Sequence, residues 1–181
     1  MKLVLLLPDA YWALMPRRNH PGEFGLVICA HGREGVVEMG GQLLNAAQVA
    51  AQVVALPDER HITAVHLVAC STARPALRSS LGMPSDAYTS SFAAQLSTRL
   101  PGRLVFGYVN SPSIRSMAEP ATMFRFAEEF GREVALRLAS VCLAELTQSR
   151  HKIHLVIFLD GRALTQRFPI AGIEGKTYAV L

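Results

Sequence analysis

Cysteine is scarce in this chain, three among 181 residues, and Cys29, Cys70 and Cys142 form neither an even set nor a CxxC pair. That argues against a disulfide framework and a cysteine-rich zinc site, and it suits a reducing, cytoplasmic compartment. Also missing is any unbroken apolar run near the ~20 residues needed to span a bilayer. The longest apolar helical stretch, around 134–146, is interrupted by Arg137 and Glu145. Leu3-Val4-Leu5-Leu6-Leu7 after Met1-Lys2 has the start of a signal peptide, but Pro8-Asp9 stops it before a cleavage region develops, so a first strand is the better reading. The formal net charge is only +4 and the arginines lack interleaved aromatics, so no nucleic-acid partner is expected. A GxSxG elbow, a Walker A loop, a GxGxxG fingerprint and an HExxH helix are all absent. Neither a metal nor a nucleotide cofactor is therefore expected.

What is abundant is apolar residue, 50% of the chain, enough to build the core of one globular domain over 1–181. Short runs rich in Val, Ile, Leu and Phe at 3–7, 24–30, 62–69, 103–109 and 153–159 suit five strands buried on both faces of a mainly parallel sheet. Between them, 43–54 predicts a helix closed by Pro57, and 86–100 a second, capped by Ser85 or Asp86 and stopped by Pro101-Gly102. A longer helix is expected over 119–147, broken near Gly131. Asp160-Gly161 is a turn signal and 176–181 reads as a strand, so 160–181 is expected to form a hairpin-like extension. The segments 8–23, 71–85 and 110–118, rich in Pro, Ser, Gly and Arg, read as loops. The fold class expected is α/β, a three-layer α/β/α sandwich.

Two reactive side chains follow strand-like runs: His31 after Leu26-Val27-Ile28-Cys29-Ala30, and Cys70 after Ile62-Thr63-Ala64-Val65-His66-Leu67-Val68-Ala69. The carboxyl ends of neighbouring parallel strands line a crevice, so such residues meet there although distant in sequence. A thiol beside an imidazole is the minimal equipment for nucleophilic catalysis, with the thiolate as nucleophile. Gly32, without a Cβ, lets its N–H approach a substrate carbonyl, and with the N–H of Cys70 it is a candidate oxyanion hole. The alternative is structural: free cysteines are usually buried and an isolated strand-end histidine usually packs. Cys29 alternates away from Ile28 and Ala30 within an apolar run, Cys142 reads as helix core, and His66 reads as a packing residue inside a strand.

The succession strand, His-Gly, helix, strand, Cys resembles the caspase-like clan of cysteine peptidases. Within the clan the chain is most similar to the autoprocessing cysteine protease domains of large bacterial toxins. The likeness rests on Ala30-His31-Gly32-Arg33-Glu34, the helix from Leu43, the run through Val68-Ala69-Cys70-Ser71, and Ser91-Phe92-Ala93-Ala94-Gln95-Leu96 leading to Leu104-Val105-Phe106-Gly107-Tyr108-Val109, about residues 24–110. It implies a caspase-like core, Cys70 as nucleophile, His31 as general base and acid, Gly32 as an oxyanion donor, and Asp9 as a carboxylate that orients His31, the alternative for Asp9 being an ordinary turn residue. It also implies that the loop after the next strand, with Tyr108, Asn110, Ser111 and Ser113, binds substrate, the alternative being a solvated loop. Arg162, Arg167 and Lys176 would contribute to a pocket for inositol hexakisphosphate as activator, or else form a solvated hairpin. Two departures stand out: Ala30 and Ala69 replace glycines usual in the toxin domains, and 9–25 is too short for the helix and extra strand those domains carry.

The expected activity is hydrolysis of peptide bonds in a protein or peptide substrate, the parent chain or a host protein if this is a secreted or delivered toxin or effector domain. Alternatives are a non-catalytic binding or regulatory module on the same fold, and a Cys–His acyltransferase.

Overall fold

Pro8 and Asp9 end the first strand and send the chain straight back beside it. In the computed structural model, which describes residues 1–17, 20–74, 85–110, 112, 118–148, 155–166 and 178–179, β1 (Lys2–Leu6) pairs antiparallel with β2 (Ala10–Pro16), and β2 pairs antiparallel with β3 (Phe24–Arg33). The next strands are β4 (Val36–Met39), β5 (Gln42–Leu44), β6 (Ile62–Val68), β7 (Leu104–Tyr108), β8 (Leu155–Leu159), β9 (Arg162–Gln166) and β10 (Tyr178–Ala179). The sheet runs β1-β2-β3-β6-β7-β8-β9-β10, with β4 joined to β3 and β5 to β4.

The protein is therefore α/β, but the sheet is mixed. Among the described residues only β3, β6 and β7 are mutually parallel, and every other pairing is antiparallel. The expectation of a mainly parallel sheet holds for this central trio alone, because apolar runs buried on both faces read alike in either direction. The expected 8–23 loop contains β2, in which Ala10 through Leu14 are all buried. Pro8 before it, Pro16 at its end and Pro21-Gly22 beyond are turn formers that mask that short run.

Helix α1 (Ala46–Val54) starts at Asn45, whose side chain accepts from the Ala47 and Gln48 N–H groups while Gln48 accepts from the Asn45 N–H. This reciprocal cap fixes the first turn. Ala46, Val49, Ala50 and Val53 lie on one stripe at helical spacing and are buried; a fully buried valine contributes about 1.5–3 kcal/mol. Helix α2 (Phe92–Arg99) is capped by Ser91 rather than by Ser85 or Asp86, since a 3-10 turn occupies 85–90. Gly131, at φ +88°, separates α3 (Pro120–Phe130) from α4 (Arg132–Gln148), as the break near Gly131 predicts.

Alternation along the central strands feeds two separate cores. Trp12, Leu14, Leu26, Ile28, Val65 and Leu67 pack with α1 and α2, whereas Tyr11, Ala13, Val27, Cys29 and Val68 pack with α3 and α4. Asp160-Gly161 closes the β8–β9 hairpin, and β10 adds to β9 as two residues of the strand expected at 176–181. Among the described residues no helix is long and apolar enough to cross a membrane.

Candidate active site

His31 is not beyond the strand but inside it. Strand β3 changes partner at this point: up to Ala30 it pairs with β2, and from His31 to Arg33 it pairs with β4, His31 opposite Glu38. On its other side β3 runs parallel to β6 with Ile28 beside Leu67 and Cys29 beside Val68. Strand β6 ends at Val68, and Cys70 follows in the turn beyond it. The contact between the two strand ends is direct. A Cβ on Gly32 would lie 2.1 Å from the Cys70 carbonyl oxygen and 2.7 Å from the Cys70 nitrogen, so only glycine fits there. His31 is exposed and Cys70 half-buried.

The chain beyond Cys70 is held from several sides. Ser71 takes φ +58°, a left-handed conformation that a non-glycine residue adopts at some cost. Its N–H donates to the Asn110 carbonyl at 3.4 Å, and the Ala73 N–H donates to the Tyr108 carbonyl at 2.8 Å. Thr72 is fully buried; its hydroxyl donates to the Ala69 carbonyl and accepts from the Tyr108 N–H, while its carbonyl accepts from Ala93 N–H at the start of α2. Gly107 permits this approach, since a Cβ there would stand 2.7 Å from Ala93 Cβ and 3.2 Å from Ala73 Cβ. The turn carrying the thiol is thus braced against β7 and α2.

Asp9 reaches the same edge of the sheet, but by a route the sequence reading did not anticipate. It lies in the β1–β2 turn, and β2 stands between β1 and β3. Its two carboxylate oxygens accept from the Gly40 and Gly41 N–H groups at 2.8 Å each, in the turn between β4 and β5. Burial pushes the Asp9 carboxyl up, but the N–H groups of Gly41, Gly40 and Asp9 itself, together with charge on His31, outweigh it and hold the group below its ordinary value. The residue therefore does act at a turn, and it also lies within electrostatic reach of His31.

Tyr108 belongs to β7 and not to the loop beyond; its side chain is buried and its hydroxyl is pushed up to about 12 by burial. Asn110, by contrast, is exposed. Ser111 and Ser113 lie outside the described residues, as do Arg167 and Lys176, whereas Arg162 is exposed at the start of β9. At the other end of the 110–118 segment, the Tyr11 hydroxyl donates to the Ala118 carbonyl at 2.9 Å and the Cys29 sulfur lies 3.7 Å from the same oxygen. Cys29 is fully buried, and its thiol is pushed up to about 12, mainly by burial and further by Glu119 and Cys70, against the Tyr11 hydrogen bond. It is a packing and anchoring thiol, not a nucleophile. His66 stacks on Phe106 at 4.2 Å between ring centroids, as a packing residue should.

Sequence reading missed Glu38, Thr72 and the Tyr11 anchor. The first had a signal: Glu34-Gly35 and Gly40-Gly41 are two-residue hairpin turns, with Gly35, Gly40 and Gly41 all at positive φ, and they flank Val36-Val37-Glu38-Met39. Among the described residues, no three His, Cys, Asp or Glu side chains are grouped to hold a metal ion. No protein-family model, curated protein or solved structure matches this chain.

Proposed function

We propose that the protein is a cysteine endopeptidase that works through an acyl-enzyme on Cys70, on a three-layer α/β/α sandwich with a caspase-like core. The observation that supports this reading is the abutment of Gly32, next to His31, on the main chain of Cys70, at the carboxyl ends of the parallel strands β3 and β6. His31 takes the thiol proton, and the sulfur attacks the scissile carbonyl carbon. The N–H groups of Gly32 and Cys70 face the oxyanion that forms, where one such donor is worth about 2.7–4 kcal/mol in related acyl-transfer chemistry. His31 then gives its proton to the leaving amine, and water, deprotonated by His31, releases the acyl group. Tyr108 and Asn110 border the substrate, with the 110–118 segment tied down at Asn110 and Ala118.

Incubating a peptide library with the wild-type protein and with Cys70→Ala tests this reading. Cleavage by the first and not the second supports it. Absence of cleavage together with failure of a thiol-reactive probe to label Cys70 in the folded protein would favour a non-catalytic module. Transfer of the acyl group to an amine or alcohol, seen by product mass, would make it an acyltransferase.

A further inference from the structure

Both oxygens of Asp9 accept main-chain N–H groups of the β4–β5 turn, so its geometry is set by Gly40 and Gly41. A different carboxylate stands directly across from His31. We propose that Glu38 is the positioning residue for His31, orienting the imidazole and stabilising its protonated form, and this rests on the reading of His31 and Cys70 as a catalytic pair.

His31 and Glu38 are register partners on the antiparallel β3–β4 ladder. Such partners project to the same face with Cβ atoms about 4.5–5.5 Å apart, within reach of a glutamate and an imidazole. Two tight turns hold that register, Glu34-Gly35 on one side and Gly40-Gly41 on the other, and Asp9 secures the second. Asp9 therefore acts on His31 partly through the hairpin that carries Glu38. The other neighbour of Glu38 is Arg33, 3.8 Å from its carboxylate and 70% exposed. An exposed pair of this length is weak, which leaves the carboxylate able to turn to the imidazole once that is protonated. Among the described residues, the charged and titratable groups near His31 are Asp9 from the β1–β2 turn, Glu38 from β4, Arg33 from its own strand and, against the adjacent Gly32, Cys70 from the turn after β6.

The test follows the rate of Cys70 alkylation by iodoacetamide against pH, beside kcat and KM on a cleaved peptide, in wild type, Glu38→Gln, Glu38→Asp, Asp9→Asn and His31→Ala. Expected for Glu38→Gln is a tenfold or greater fall in kcat with KM within twofold. The limb of the alkylation profile that vanishes in His31→Ala should move to lower pH by half a unit or more, with an unchanged melting temperature. Glu38→Asp should recover part of both. Asp9→Asn should lower the melting temperature and move the profile less. A Glu38→Gln profile and kcat matching wild type overturns the proposal, as does a larger profile shift in Asp9→Asn at unchanged stability. If alkylation is indifferent to His31→Ala, the catalytic pair itself fails, which is a separate outcome.

Discussion

The two ends of the central parallel strands differ in what their polar groups do. At the amino ends, Arg17 bridges Glu23 and Thr63, and Arg103 donates to the Ile62 carbonyl and pairs with Glu59. These groups satisfy one another and lock the starts of β3, β6 and β7. At the carboxyl ends, His31 is exposed, Ser71 sits in left-handed backbone, and main-chain contacts hold the turn that follows β6. Polar residues stabilise the first end, whereas glycines and a buried threonine shape the second. Substitutions at the first should therefore change stability, and those at the second should change chemistry.

The sharpest way to break this contrast is to remove the reactive groups. Cys70→Ala and His31→Ala are each expected to lower kcat/KM by ~10³-fold or more, with melting temperatures within a few degrees of wild type. Activity within tenfold of wild type in either variant would falsify the pairing. Next in size is Gly32→Ala. Its methyl meets Cys70 main chain, which has no flexible end to yield, so a loss of about 3 kcal/mol is expected. Urea unfolding should show that loss, and activity should fall with it.

Arg103→Ala should do the reverse of Cys70→Ala. It strands the Ile62 carbonyl and Glu59, lowering stability by about 1.5–3 kcal/mol while leaving kcat/KM unchanged; a drop in kcat/KM at full occupancy of the fold would erase the distinction between the ends. The smallest effect concerns His66, midway along β6. Burial first, and then Arg17, pushes its imidazole down to about 4. Below about pH 6.5 the unfolded chain takes up a proton that the folded chain refuses, so stability falls as pH drops from there toward 4. At pH 5.5 the loss is on the order of 1 kcal/mol. His66→Phe, which keeps a ring against Phe106, should remove that part of the decline, measured as the difference in urea midpoint between pH 7.5 and pH 5.5.

Legibility from sequence followed the range of the interactions involved. The central strands, α1 and the break at Gly131 show in local composition, because burial on both faces, an Asn-x-x-Gln cap and a glycine stop are encoded within a few residues. His31 and Cys70 stood out as candidates because each comes at the end of such an apolar run. Strand β2 was hidden by its flanking prolines, and the direction of β8 depends on partners far away in the chain. The β4–β5 hairpin escaped because its strands are only four and three residues long. With it went Glu38, whose place opposite His31 exists only once the hairpin has formed. Asp9 was read at the correct edge for a reason that did not hold, since β2 and not a parallel β1 lies beside β3.

The fit of Gly32 against Cys70 has a further consequence, for errors in folding. If β3 and β6 pair wrongly, no change of rotamer can restore that fit, because it is built from main chain alone. A slip of one residue between them would turn one strand's side chains to the other face of the sheet and drive Gly32 away from its fit. On the proposed mechanism, misregistered molecules would then be silent rather than poorly selective, so the same fit would guard against a half-folded chain with unregulated reactivity.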